Sequence, residues 1–253
     1  MRKPLLLLFI VTLATTLVLA QAPPAASVCE IHINKVKSGM TAQYEQARAK
    51  HMAWHKSQND AWSWNIWEIT TGENTGNYLV SSCGHDWKDF DREKFNAADS
   101  TNANATMGPT LAGESMSYYV VRPDLGPPSA TKQPPPYVSV IHFYLKPEGI
   151  ADFNEGVKKV IAGIAKTNSP TVPSTWYSLA NGGRGPEVVL VQERKSIGDM
   201  GIGGGKTLEQ IMQEAYGDQG AAILGSLRKG YYSTHTELLH LRPDLSYTPP
   251  SKP

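Results

Sequence analysis

Apolar and polar side chains alternate along Val28–Val36, with Ile31 and Ile33 on one side and Val28, His32 and Val36 on the other. A period of two predicts a strand. Met40, Tyr44, Ala47 and His51 then recur at helical spacing and predict a helix over 40–56. The aromatic and β-branched run 61–70 predicts a second strand, the cluster 71–76 a turn, and 77–82 a third strand. Asp86 can cap a shorter helix that begins at Trp87, and 115–121 reads as a fourth strand stopped by Pro123. The succession returns in the second half: strand Tyr137–Leu145, helix 149–166, strands 174–179 and 187–193, helix 208–227, strand 231–241. A glycine-rich stretch, 196–206, has no counterpart in the first half and reads as a flexible loop, a candidate lid.

The return is also written in the residues. Arg-Pro-Asp-Leu occupies 122–125 and again 242–245. Upstream of the two copies, Cys29-Glu30-Ile31-His32-Ile33 answers to Val140-Ile141-His142-Phe143. Trp64 with 78–80 answers to Trp176 with 189–191, in the same order. Landmarks kept in order at a near-constant offset indicate an internal duplication. The predicted organisation is a leader over 1–20, a Pro/Ala spacer over 21–27, repeat one over 28–125, a Pro-rich linker over 126–136, repeat two over 137–245 and a Pro-rich tail over 246–253.

Charge and composition narrow the function classes. The 24 basic and 23 acidic side chains give a net charge of +1, which supplies no bulk attraction to nucleic acid. Arg2 and Lys3 precede an apolar run, 5–20, too short for a comfortable membrane span, ending in Val18-Leu19-Ala20. This pattern predicts signal-peptide cleavage after Ala20, an exported (periplasmic or secreted) mature protein and no membrane span thereafter. The two cysteines, Cys29 and Cys83, then lie in a compartment that permits a disulfide.

The βαββαβ order is the ferredoxin-like arrangement, an antiparallel sheet in strand order four-one-three-two with both helices on one face. Each repeat leaves the other face bare, so the predicted fold class is α+β: tandem ferredoxin-like repeats closing into an intramolecular α/β barrel. The chain thus resembles the dimeric α/β-barrel superfamily, with one chain doing what two subunits do elsewhere. The opening of repeat one, His32 followed by Lys37-Ser38-Gly39-Met40 and a helix, resembles small proteins related to antibiotic-biosynthesis monooxygenases and NIPSNAP-type proteins. In that strand order the start of the first strand lies beside the end of the third, which makes a Cys29–Cys83 bridge geometrically plausible. A monomeric pseudo-dimer and a homodimer of such units both fit.

Alternation then assigns side chains to faces. His142 and Tyr144 oppose Ile141, Phe143 and Leu145, and His32 opposes Ile31 and Ile33. Both histidines are expected inside the barrel at matching positions, together with Trp64, Trp176, Glu68 and Tyr78. These residues, with Tyr144, are the candidate ligand-binding set. The competing reading is an aromatic core that merely fills the interior. His51 and His55 sit at metal-binding i, i+4 spacing, but the expectation is a solvated helix face, and neither a metal nor a cofactor is predicted. His235 and Glu237 share a strand face and can support an inward polar site, whereas Glu237 and His240 cannot. The run Gly201–Lys206 lacks the leading glycine of a phosphate-binding loop, since Met200 stands there, and no Gly-x-Ser-x-Gly elbow occurs. Three functions follow in order: binding of a small hydrophobic or aromatic molecule, a cofactor-independent oxygenase or isomerase acting on a conjugated substrate, and a structural role with a filled barrel.

Overall fold

The computed structural model describes residues 27–131, 133–201 and 205–250. The predicted leader, most of the spacer and residues 251–253 of the tail lie outside them. Eight strands, β1 (Val28–Val36), β2 (Asn65–Ile69), β3 (Tyr78–His85), β4 (Leu111–Val121), β5 (Tyr137–Leu145), β6 (Ser174–Asn181), β7 (Glu187–Arg194) and β8 (Tyr231–Leu241), form one closed antiparallel barrel. The first half supplies the order β4-β1-β3-β2 and the second β8-β5-β7-β6. The halves meet edge to edge rather than only face to face: β2 pairs β8 through Glu68 and His240, and β4 pairs β6 through Val121 and Tyr177. Closure leaves none of the eight strands with an unpaired edge, which removes the liability of an open sheet.

Among the described residues, five α-helices pack outside the barrel. They are α1 (Thr41–Ser57) and α2 (Glu93–Thr106) on the first half, and α3 (Ile150–Lys166), α4 (Leu208–Tyr216) and α5 (Gln219–Lys229) on the second. The helix predicted over 208–227 is broken at Gly217, whose φ of +57° ends α4 in the left-handed region. The helix predicted from Trp87 is a single 3-10 turn, Trp87–Phe90, and α2 begins at Glu93. Unlike the other four helices, α2 has no fully buried residue.

The duplicated tetrapeptide does the same work twice. Each Pro-Asp-Leu folds into a 3-10 turn beyond the last strand of its half, with Leu125 and Leu245 buried. Arg122 grips Asp124 through two bonds of 2.8 Å, and Arg242 grips Asp244 at 3.1 and 2.9 Å. The backbone crossings are reciprocal: Arg122 N–H donates to the Trp176 carbonyl and Arg242 N–H to the Ile66 carbonyl, both at 2.8 Å. This self-complementary pattern is that of a two-fold interface, here within one chain.

Three apolar clusters hold the structure. One lies beneath α1 (Tyr44, Met52, Ile66, Tyr78), one beneath α3 (Phe153, Val157, Leu145), and one inside the barrel (Trp67, Val138, Val140, Leu239). Cys29 and Cys83 are direct cross-strand partners and form a disulfide. Closing a loop of 54 residues stabilises the fold by about 4 kcal/mol in the chain-entropy account.

Candidate functional site

The barrel encloses a cavity of about 320 Å³, within the range of small-molecule sites. Ile31, Ile33, Trp67 and Leu79 wall it from the first half, and Val138, Val140, Tyr177 and Val189 from the second. Polar groups gather toward the β5–β8 side. His142 on β5 and His235 on β8 are cross-strand partners with ring centres 5.6 Å apart. His142 Nδ1 lies 2.5 Å from Glu187 Oε1, and Glu187 Oε2 accepts from the Tyr119 hydroxyl at 3.0 Å. His235 Nε2 lies 2.9 Å from Glu237 Oε1, which also accepts from Asn74 Nδ2 at 2.8 Å. Both carboxylates are buried, at 5% exposure.

Local backbone explains how these groups converge. Gly72, at φ +92°, lets the β2–β3 turn lie against β8. A Cβ there would stand 3.0 Å from the Thr236 carbonyl and from Glu237 Cγ, so any side chain would push Asn74 away from Glu237. A ring nitrogen facing a carboxylate carries its hydrogen. Nε2 of His142 and Nδ1 of His235 are therefore the nitrogens free to exchange a proton with a guest, and neither has a hydrogen-bond partner among the described residues. Burial, and then the neighbouring Glu187, hold the Tyr119 hydroxyl far above its ordinary pKa, and the same causes raise Tyr144. Both phenols stay protonated as hydrogen-bond donors.

Of the residues expected in this wall, His142 and Tyr144 line it. His32, Trp64, Glu68, Tyr78 and Trp176 do not; they face outward, into the layer beneath the helices. The reason is register. Val36 and Leu145 both sit at a bulge before the first helix of their halves. Aligning them makes Ile33 the counterpart of His142 and leaves His32 opposite Ile141. A slip of one residue exchanges the two faces of a strand. Trp176 is the counterpart of Ile66, as the reciprocal crossings show, and packs on Phe143 and Phe153. Tyr78 stacks against Tyr44 and donates to Glu45 at 2.7 Å, while Glu68 lies 3.5 Å from Arg242. Trp64 Nε1 donates to Asp60 at 2.9 Å.

His32 is an ion-pair residue of the outer layer. It lies 2.7 Å from Glu30 and 3.1 Å from Glu114. Burial opposes its charge, but hydrogen bonds and attraction from the two carboxylates prevail and raise its pKa from 6.5 to about 9. The Glu114 carboxyl is correspondingly held below its usual range by the His32 hydrogen bond.

Tyr119 and Trp67 line the wall and were missing from the expected set, as was Glu187, which does not line the cavity but holds His142 and Tyr119. Glu187 was the most legible of them: Glu187, Val189, Val191 and Glu193 alternate along β7 on one face, and the last three of these line the cavity. Of the glycine-rich stretch, residues 202–204 lie outside the described residues. No helix among the described residues is long and apolar enough to cross a membrane.

No protein-family description and no curated protein sequence matches the chain. Solved structures do. A candidate monooxygenase from Fusobacterium nucleatum superposes with a TM-score of 0.56 at 12% identity, over 89% of this chain and 99% of that one. An anthrone oxidase-like protein gives 0.54 at 12% identity, over 90% and 95%. A mutant chlorite dismutase from Candidatus Nitrospira defluvii gives 0.53 at 10% identity, over 86% and 92%. At such identities the likeness shows the fold alone: two ferredoxin-like halves, carried on one polypeptide, closed into a single α/β barrel like that of these structures.

Proposed function

We propose that the protein binds a small, largely apolar ring compound inside the barrel, with one oxygen or acidic group of the ligand directed at His142 and His235. The observation that carries this reading is the pairing of a cavity of about 320 Å³ with two His–Glu couples at its β5–β8 side. A filled core has no need of buried carboxylates, whose desolvation is costly unless they are kept for a purpose or tightly partnered. The apolar wall supplies affinity through buried area, and the imidazoles fix orientation. The Cys29–Cys83 disulfide is compatible with an exported setting, and we place the mature protein there.

A second reading rests on the same couples. Each histidine is oriented by a carboxylate and leaves its other nitrogen free, the arrangement of a general base. A guest with a weakly acidic C–H or O–H group could lose that proton to His142 Nε2, with Glu187 stabilising the imidazolium so formed. Neighbours in fold named for monooxygenase and anthrone oxidase activity lend this reading its substrate class, a conjugated aromatic ketone or phenol.

Anthrone is a suitable probe. Its binding should quench emission from Trp67, and Val140→Trp, which fills the cavity, should abolish binding while leaving the protein folded. Equal anthrone affinity in wild type and Val140→Trp would remove the barrel from consideration. His142→Ala separates the two readings: conserved affinity with lost turnover identifies catalysis, while no turnover in wild type leaves a binding protein.

A further inference from the structure

We propose a second, independent site: a mononuclear centre for a divalent first-row transition metal, held by His51 and His55 of α1 and Asp99 of α2, outside the barrel. The two histidines are not on a solvated face. They are 3% and 1% exposed, at the contact of α1 with α2.

The three donor atoms already stand where an ion would need them. His51 Nε2 and His55 Nε2 are 3.2 Å apart, and Asp99 Oδ1 lies 3.2 Å from the first and 3.4 Å from the second. A tetrahedral ion with bonds of about 2.0–2.1 Å has ligands separated by about 3.3–3.4 Å, so this triangle matches one face of that polyhedron. The outer nitrogens are anchored as metal-bound imidazoles commonly are. His55 Nδ1 meets Asp60 Oδ2 at 2.9 Å, and His51 Nδ1 meets Asn102 Oδ1 at 2.8 Å. With their hydrogens on Nδ1, both rings direct a lone pair toward the same point as a carboxylate oxygen.

Three acceptors facing one another repel unless a cation lies among them. Asp99 Oδ1 is itself buried without a hydrogen-bond donor, which marks the point where something positive is wanted. A second observation concerns α2. No residue of this helix is fully buried, and its apolar contacts are few: Phe95 packs on Trp54 and His55, and Ala103 on the core beneath α1. An ion ligated from both helices would add a clamp to these contacts. The donors border a cavity of about 180 Å³ that also meets His32, Arg48, Trp64 and Glu114, so a fourth position has room for water or a small anion. Two imidazoles and one carboxylate suit zinc or iron(II) rather than calcium or magnesium.

The test uses untagged full-length protein stripped with a chelator and titrated with Zn²⁺. The expected result is one Zn²⁺ per chain with a micromolar or tighter dissociation constant, and slower amide exchange across α2 in the loaded form. Asp99→Asn keeps the size of a side chain that is about a quarter exposed, so it should fold; it should weaken Zn²⁺ binding at least tenfold and abolish the protection of α2. His142→Gln, in the barrel, should bind Zn²⁺ as wild type does. The proposal is overturned if wild type binds no Zn²⁺ below millimolar concentration. It is equally overturned if Asp99→Asn binds unchanged, or if His142→Gln is the variant that loses the metal.

Discussion

Replacing His32 by glutamine removes a charge that the fold has been built to keep. In the folded protein the imidazole sits between Glu30 and Glu114, and its pKa is raised from 6.5 to about 9. Between those values the folded state holds a proton that the unfolded chain has released. The stabilisation is therefore complete below about pH 6.5 and is lost as pH rises through about 9. At about 1.4 kcal/mol per unit, the shift corresponds to a ceiling of about 3 kcal/mol. Solvent reaches about a fifth of the His32 side chain, and screening lowers the expected fall to roughly 1–3 kcal/mol. Urea unfolding at about pH 6 and about pH 9.5 measures it directly. Wild type should lose that amount between the two conditions, whereas His32→Gln should be less stable at the lower pH and nearly flat across the range. Glu114→Gln, which removes one of the two partners, should show an intermediate slope. Parallel curves for wild type and His32→Gln would refute the assignment of the charge to this triad.

Two further expectations concern the barrel frame. Cys29→Ala with Cys83→Ala should lower stability by about 3–4 kcal/mol in urea melts, and peptide mapping of wild type without reductant should recover the two half-cystines as one linked pair. Gly84 and Gly182 share a φ near +90°, but a Cβ at Gly84 meets nothing within 4 Å, whereas at Gly182 it would lie 2.8 Å from Ser117 Cα on the β4–β6 seam. Gly84→Ala should thus cost about 1 kcal/mol, the conformational penalty alone, and Gly182→Ala clearly more; equal losses would show that the seam has slack.

Much of the fold was legible because hydrophobic period and chain punctuation agree. The alternation in Val28–Val36 and Tyr137–Leu145, the repeated Arg-Pro-Asp-Leu and the paired cysteines each constrain the same topology, and no single one had to carry it. The site was legible only in its second half. In β5 the face with His142 and Tyr144 was set against a strongly apolar face of Ile141, Phe143 and Leu145, and the assignment of His142 and Tyr144 to the interior agrees with their place in the cavity wall. In β1 both faces carry apolar residues, so the pattern did not say which was inside, and matching histidine to histidine chose the wrong one. The true counterpart of His142 is Ile33. The buried state of His51 and His55 could not be read from α1 alone, because their cover includes α2, a polar helix whose own sequence shows no apolar stripe, together with Trp64 and Tyr247 against His55.

The two halves have thus diverged in where they keep their polar groups. In the second half His142 of β5, Glu193 of β7 and His235 and Glu237 of β8 point into the barrel, while its helix layer is an apolar cluster around Phe153. The first half lends the barrel Ile31, Ile33, Trp67 and Leu79, and keeps three of its four histidines, His32, His51 and His55, in the helix layer. A duplicated fold offers two kinds of enclosed space, the shared barrel and the private layer under each helix pair. A one-residue difference in strand register is enough to send a histidine to one or the other. If both sites are used, they are separable: filling the barrel with Val140→Trp should leave Zn²⁺ affinity at the α1–α2 cluster unchanged, and Asp99→Asn should leave anthrone binding unchanged. Loss of both functions in either variant would instead mean that β1 and β3, which the two spaces share as a wall, transmit the perturbation from one face of the sheet to the other.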